Sequence, residues 1–263
     1  MIRYLGLILI PSLACAFAPL IPKYVRSVTG TFSRFETGHF FDKHGHVLKS
    51  HNEFARNQYE LLIECGLSSR NNLSLWGAFD CIEDHLNGNS YELADFELSW
   101  KQALREWDNA ILSTELMLII PALKSYEPEI RYGRYGMEAA LLYAQTCFPK
   151  GYKTTFDTRL AYRWYSGFPS DQIRGELSCW VDLSCRWQLL AQTGIDFGLF
   201  NGKEPLNRSF FFYNANWRVF RARIEAIYYI NNSLALSAGY LQHLLGQNTA
   251  VGGEWYGRLS FCF

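Results

Sequence analysis

The chain has 263 residues, of which 49% are hydrophobic and 16% aromatic, and its 25 basic and 25 acidic side chains leave no formal net charge. This balance excludes the basic surface of a typical nucleic-acid-binding protein, and the aromatic content excludes a disordered chain. Beyond the first twenty positions there is no apolar run of about 20 residues, so no transmembrane helix is predicted. A soluble β-rich domain or a membrane β-barrel remains.

The first residues have the pattern of a secretory signal peptide. Arg3 supplies a positive charge, residues 5–10 form a short apolar core, and small residues follow at the spacing of a cleavage site. We therefore expect residues 1–18 to be a signal peptide and residues 19–263 to form the barrel domain. A lipoprotein signal at Cys15 is the alternative, although a serine stands where such signals carry leucine.

After the signal peptide, apolar residues recur with a period of two. In residues 220–228 they alternate with Arg221, Arg223 and Glu225, which gives a strand one apolar face and one charged face. Two segments, 109–123 and 136–148, are also compatible with helices on pattern alone. The predicted strands, about twelve in number, span residues 31–41, 53–68, 71–83, 92–106, 109–123, 134–148, 151–166, 171–184, 186–199, 217–230, 233–246 and 250–263.

Tight polar turns alternate with longer connections along most of the chain. Residues 68–72 and 149–151 are of the first kind, whereas residues 124–133 and 201–216 are of the second. Up-and-down outer-membrane barrels have this arrangement, with short periplasmic turns and larger external loops. An even number of strands would place both termini in the periplasm.

A soluble barrel would show the same alternation with its faces inverted. The membrane barrel is favoured by aromatic residues near the strand ends and by strands longer than the usual five or so residues of globular proteins. Because an Arg or Lys that faces lipid at the midplane costs about 2–4 kcal/mol, the charged face must line the lumen. We predict an all-β fold, an up-and-down antiparallel transmembrane β-barrel of about 12 strands, in the outer membrane of a Gram-negative bacterium.

Three segments resemble the outer-membrane family named for the meta pathway of phenol degradation. Residues 94–101, Ala-Asp-Phe-Glu-Leu-Ser-Trp-Lys, are similar to its Gly-Asp-Leu-x-Leu-x-x-Lys-Tyr strand. Residues 66–70 are similar to its Gly-Leu-Thr-x-Arg turn, and residues 236–240 fit the tail of the family. The resemblance covers roughly residues 53–263, with fewer strand glycines and more cysteines than the family has. It implies a porin-like or transporter-like barrel that handles hydrophobic or aromatic compounds, without catalytic residues.

The C-terminal strand resembles the signal that the barrel assembly machinery recognises. Its apolar face carries the expected signal residues Trp255, Leu259, Phe261 and Phe263.

The charged positions of each strand predict the lumen lining. The expected lining residues are Glu60, Glu64, Asp95, Glu97, Lys101, Glu115, Glu138, Asp157, Arg159, Arg163, Arg174, Glu176, Arg221, Arg223, Glu225 and Arg258. Arg34 and Glu36 are assigned to the same face. Two interpretations stay open: a transverse field that orients a polar or zwitterionic solute, or salt-bridge ladders that fill the lumen.

Catalytic and metal-binding patterns are weak. Four histidines between positions 39 and 51 have a spacing that a metal would accept, but solvated loop histidines are the commoner case. Ser237 and His243 share a face yet lie about 20 Å apart at roughly 3.3 Å per residue, too far for a nucleophile and its base. Cys185 and Cys262, near the periplasmic rim, are candidates for a disulfide with each other or with another chain. We expect no enzyme activity, no metal and no cofactor.

The predicted function is passive uptake of small solutes, including hydrophobic or aromatic ones, through an outer-membrane channel. The alternative is a closed structural or adhesion barrel that acts through its surface loops. The expected partners are outer-membrane lipid, the barrel assembly machinery and a small-molecule solute, and no nucleic acid.

Overall fold

The computed structural model describes residues 20–84, 88–122, 134–167, 169–202 and 216–263, without the side chains of residues 51, 52 and 84. The predicted signal peptide, residues 1–18, lies outside the described residues, as does His85. A search of the described part of the chain finds no helix that is both long and apolar enough to cross a membrane.

Most of the described residues belong to one antiparallel sheet of thirteen strand segments. The segments are β1 (Arg26–Phe41), β2 (Val47–Gly66), β3 (Asn71–Asp84), β4 (Gly88–Leu93), β5 (Phe96–Trp107), β6 (Ala110–Ile120), β7 (Gly136–Cys147), β8 (Thr154–Tyr165), β9 (Gln172–Asp182), β10 (Trp187–Gly198), β11 (Arg218–Tyr229), β12 (Leu234–Gln247) and β13 (Thr249–Cys262).

The sheet closes on itself as a barrel. Apart from β4 and β5, segments that follow each other along the chain pair with each other, and β13 pairs with β1. Segments β4 and β5 both pair with β3, because they are successive parts of one barrel strand interrupted at residues 94–95. The barrel therefore has twelve strands, and the predicted fold class is confirmed. The prediction of one continuous strand over 92–106 missed this interruption.

Alternating burial shows why these sequences form strands. In β7 every second residue, including Glu138 and Leu142, is buried, whereas Met137, Leu141 and Tyr143 between them are exposed. Side chains of a strand alternate between the two faces of a sheet, which a helix with 3.6 residues per turn does not do. The helical alternative for residues 109–123 and 136–148 is therefore wrong where the structure describes them.

The seam between β1 and β13 extends the first strand beyond its prediction. Backbone hydrogen bonds join Arg26 and Phe263 in both directions, at 2.9 and 3.0 Å. Further along the seam, the buried hydroxyl of Thr29 donates to that of Ser260 at 3.0 Å. Strand β1 starts at Arg26 rather than at residue 31, because the last strand supplies a partner for these residues.

The outer wall of the barrel is apolar and aromatic. Leu160, Leu177 and Ile224 are 61%, 53% and 65% exposed, although each lies in the interior of its strand. Exposed apolar surface on this scale is typical of a membrane-spanning barrel. The residues of the predicted assembly signal also lie exposed on this wall: Trp255, Leu259, Phe261 and Phe263.

Arg34 and Glu36 lie on the outer wall, so their assignment to the lumen is wrong. Arg34 donates to Asn57 at 3.1 Å, and it also forms ion pairs with Glu36 and Glu83. Its neighbour Ser33 is buried on the inward face. In β1 the inward positions carry mainly serine and threonine, so charge does not mark the lumen side of this strand.

Candidate lumen site

The strand registers place the predicted lining residues on one face of the sheet. Glu138 lies opposite Arg163, and Gly194 lies opposite Glu176 and Arg221. Asp95 belongs to the interruption between β4 and β5, where its carboxylate accepts a hydrogen bond of 3.4 Å from the backbone of Ala122. The face that carries these charges is opposite to the apolar outer wall.

Glu138 is the centre of an ion-pair network on this inward face. Its carboxylate contacts the guanidinium groups of Arg159, Arg163 and Arg174, the last at 3.1 Å, and its side chain is 1% exposed. Hydrogen bonds between a carboxylate and guanidinium groups are charge-assisted and are stronger than those between neutral groups. We call the connected set the lumen network: Glu97, Glu115, Glu138, Arg159, Arg163, Arg174, Glu176, Asp196 and Arg221.

The lumen network crosses the barrel interior from β5 to β11. Arg163 of β8 reaches Glu97 of β5 at 3.0 Å, past two intervening strands. On the other side, Asp196 binds Arg174 at 2.8 Å and Arg221 at 2.6 Å. Contacts across several strands require side chains that converge on the concave side of the sheet, so the network lies inside the barrel.

A second group of polar side chains surrounds Glu225. This carboxylate accepts hydrogen bonds from Ser237 at 2.6 Å, Tyr256 at 2.9 Å and Arg258 at 3.2 Å. Arg223 lies at a longer distance, 3.5 Å from the same carboxylate. We call this set the Glu225 cluster.

A small cavity lies between the lumen network and the Glu225 cluster. Its volume is about 150 Å³, and its lining residues are Glu176, Gln192, Gly194, Arg221, Arg223 and Leu241.

Sequence reasoning missed one ion pair of the inward face. Arg56 of β2 contacts Glu254 of β13 at 3.3 Å, with β1 between the two strands. Arg56 and Glu254 each lie four residues from a predicted lining residue of the same strand, Glu60 or Arg258. Because side chains alternate between the two faces of a strand, the sequence pattern could have placed both residues on the inward face.

One part of the interior is apolar near the end of the barrel that carries the tight turns, which we call the turn end. Trp180, Leu190, Ile227 and Ala235 form a buried cluster, with Cys262 packed against it. Carbonyl oxygens of residues 21 and 22 approach Gly66 so closely that a Cβ there would lie 2.1 Å from the nearest of them. The N-terminal segment therefore packs against the inner side of β2 at this end.

The cysteines of the described chain are free. Cys262 is partly buried against the apolar cluster, whereas Cys185 is exposed in a tight turn. No disulfide joins these two residues to each other, and a disulfide to another chain stays a prediction.

The carboxylate of Asp157 is buried beside the apolar cluster. The Trp180 indole donates a hydrogen bond of 2.7 Å to Oδ2 of Asp157, whose exposure is 0%. We expect Trp180→Phe to lower the free energy of unfolding by about 1–3 kcal/mol, because the carboxylate loses a partner without gaining water. Denaturant titration of the refolded barrel measures this loss. The double variant Trp180→Phe with Asp157→Asn should recover part of it, and equal losses for the single and double variants would contradict the explanation.

Of the four histidines between positions 39 and 51, the structure describes the side chains of His39, His44 and His46. His46 contacts the carboxylate of Asp42 at 3.3 Å, and no group of three His, Cys, Asp or Glu residues able to hold a metal occurs among the described residues. Although desolvation opposes it, hydrogen bonds from the backbone of His44 and His46 hold the pKa of Asp42 below its usual range. The hydrogen bonds of Asp42 with His44 and His46 stabilise the turn between β1 and β2, which accounts for the polar residues there.

Ser237 and His243 also have separate partners. His243 binds the backbone carbonyl of Ala250 at 2.9 Å, whereas Ser237 donates to Glu225. Their arrangement is not that of a nucleophile and its base.

Comparison with known proteins adds to this geometry. No protein-family model matches the chain, and no curated protein matches it. An outer membrane channel from Pseudomonas putida F1 is similar to the chain with a TM-score of 0.78 and 15% identity, over 94% of this chain and 98% of the channel.

Two other solved structures have a more distant similarity. The NanC porin has a TM-score of 0.53 and 9% identity, over 90% of this chain and 98% of the porin. LpxR from Salmonella typhimurium has a TM-score of 0.54 and 10% identity, over 89% of this chain and 99% of LpxR. At these identities the similarity establishes the fold. The chain has the fold of bacterial outer-membrane β-barrels, in agreement with its apolar outer wall and with the predicted location in the outer membrane.

Proposed function

We propose that the protein is a narrow channel for the passive passage of small solutes across the outer membrane. The observation that carries this proposal is the lumen network. Buried ion pairs are often no more stabilising than apolar side chains of similar volume, so stability alone does not explain a charged interior. Ionisable residues at membrane depth are typical of solute and ion pathways.

Two further features support a small solute. A barrel of twelve strands lies between small barrels, which side chains fill, and the wide porins. Arg163 and Glu97 meet past the two intervening strands β6 and β7, and a lumen that such a contact narrows would be lined there by charges of both signs. Such a constriction selects by size and by charge.

The proposal also covers the class of solute and the partners of the protein. The segments 66–70 and 94–101 resemble the family of the phenol meta pathway, which supports hydrophobic or aromatic compounds as cargo. The proposal includes lipid around the outer wall and the barrel assembly machinery as partners, and it assigns no enzyme activity.

Single-channel recording in planar bilayers tests the proposal. We expect stepwise conductance from the folded barrel. Lys101→Gln removes one positive charge from the inward face and should shift the reversal potential toward cation selectivity. Lys150→Gln makes the same change in a tight turn outside the lumen and should leave selectivity unchanged. Equal shifts for both variants would contradict a conducting path past Lys101.

A closed structural barrel is the second candidate. The apolar cluster around Trp180 and Leu190 favours it, because these side chains occupy the interior at the turn end. Folded protein that inserts into bilayers and shows no conductance at any voltage would support this candidate and overturn the channel.

A further inference from the structure

Positive and negative side chains alternate along one chain of ion pairs on the inward face, which ends at Arg221. Contacts run from Glu138 to Arg174, Asp196 and Arg221, each acid followed by a base. The next charged position of β11, two residues from Arg221, is Arg223. Two arginines are therefore neighbours on one face, and the cavity of about 150 Å³ lies beside them.

Arg223 is the less well paired of these two arginines. Its carboxylate partner, Glu225, lies at 3.5 Å and already accepts closer hydrogen bonds from Ser237, Tyr256 and Arg258. The buried Nε of Arg223 has no hydrogen-bond partner among the described residues. Because an unpaired buried donor, above all a charged one, is costly, the site has an unmet requirement for an acceptor.

The cavity has room for such an acceptor. A volume of about 150 Å³ accommodates roughly five water molecules or one benzene ring. Gly194 contributes to this space, because a Cβ at this position would lie 3.2 Å from Nε of Arg221. Leu241 and Gln192 complete the wall with an apolar and an amide group.

Glu176 is the acidic residue of the cavity and restricts what fits. One carboxylate oxygen contacts Arg221 at 3.4 Å, whereas the buried Oε2 has no hydrogen-bond partner in the described part of the chain. A ligand that also carries a hydroxyl or ammonium donor would satisfy Oε2 and Arg223 together.

We infer that this cavity is a binding subsite for a small carboxylate, held between Arg221 and Arg223 on its passage through the lumen. The inference rests on the proposed channel function, and it names the class of solute that the channel would bind at this cavity. A carboxylate placed there restores the alternation of charges and accepts from the unpaired Nε of Arg223. Short hydroxy- and amino-carboxylates fit best, since Glu176 offers an acceptor opposite.

Ligand-dependent stability of the purified full-length barrel in detergent tests the inference. Acetate, glycolate and glycine are titrated against chloride at fixed pH and ionic strength, and the melting temperature is recorded. Binding to the folded state should raise it in a saturable manner, with glycolate or glycine more effective than acetate.

Two variants identify the site. Arg223→Gln should weaken the carboxylate effect about tenfold or more, the range for a lost hydrogen bond to a charged group. Gly194→Ala keeps every charge and fills part of the cavity, and it should also weaken the effect, which gives a second answer if Arg223→Gln fails to fold. Lys150→Gln, in a turn, should leave the effect unchanged.

The outcomes separate this inference from the channel itself. Conductance without any saturable carboxylate effect would overturn the subsite and leave the channel standing. A carboxylate effect in a barrel that never conducts would overturn the channel. Unchanged carboxylate binding in Gly194→Ala and in any folded Arg223→Gln protein would overturn the assignment of the site.

Discussion

Replacing Glu138 by glutamine is expected to lower the free energy of unfolding by about 3–5 kcal/mol, which is the loss seen when one partner of a buried ion pair is removed. The carboxylate is 1% exposed and serves Arg159, Arg163 and Arg174 at once, so three guanidinium groups lose their shared acceptor. Reversible unfolding in urea, followed by tryptophan fluorescence in lipid vesicles, measures the change.

Glu106→Gln is the matched control for this variant. Glu106 lies exposed near the end of β5, where the same substitution should change the free energy of unfolding by less than about 0.5 kcal/mol. Equal effects of Glu138→Gln and Glu106→Gln would show that the lumen network does not hold the strands together.

Substitution of Leu160 by arginine is expected to cost about 2–4 kcal/mol, because the new charge would face the hydrocarbon core of the membrane. Leu160 lies in the middle of β8, opposite Leu141 of β7, and the two are 61% and 50% exposed on the outer wall. Unfolding titrations in vesicles give the difference between variant and parent.

Phe148→Arg provides the comparison at a different depth. Phe148 is 65% exposed beside the turn that joins β7 and β8, where the penalty should fall to about 0–1 kcal/mol. A penalty of the same size at both positions would mean that the wall around Leu160 is not embedded in lipid.

Most of the barrel strands could be predicted from the sequence, because the alternation of apolar and polar residues is a local pattern. The charges of β11 mark one face of that strand, and registers throughout the sheet place Glu225 and Arg223 on the same side as Gln192 and Leu190. Strand ends were less predictable. Strand β2 starts at Val47 and not at residue 53, because β1 supplies backbone partners beyond Phe54.

The wrong assignment of Arg34 shows that a charged residue does not always mark the inward face of a strand. The inward positions of β1 carry hydroxyl groups, for example Ser33 and Thr29, so the charged residues occupy the opposite parity. Arg34 is accommodated on the wall by Asn57 and Glu83 from two other strands. Only the register between strands reveals these partners.

The ion pairs inside the lumen could not be predicted from the sequence either. Strand alternation predicts that Glu138 and Arg163 face the interior, but it does not specify that Arg174 joins them or that Arg163 also reaches Glu97. These contacts depend on strand stagger and on the curvature of the closed sheet. Ion pairs link these residues across strands, and the cavity lies beside Arg223, next to the last arginine of this chain of contacts.

The seam of the barrel has a consequence for how the chain folds. The hydroxyls of Thr29 and Ser260 that meet there are 231 residues apart in sequence, so this pairing forms only after synthesis of the whole domain. Until then β1 and the growing sheet expose unpaired edges, which invite aggregation. Because contacts of long sequence separation form slowly, closure of the seam is expected to limit the folding rate.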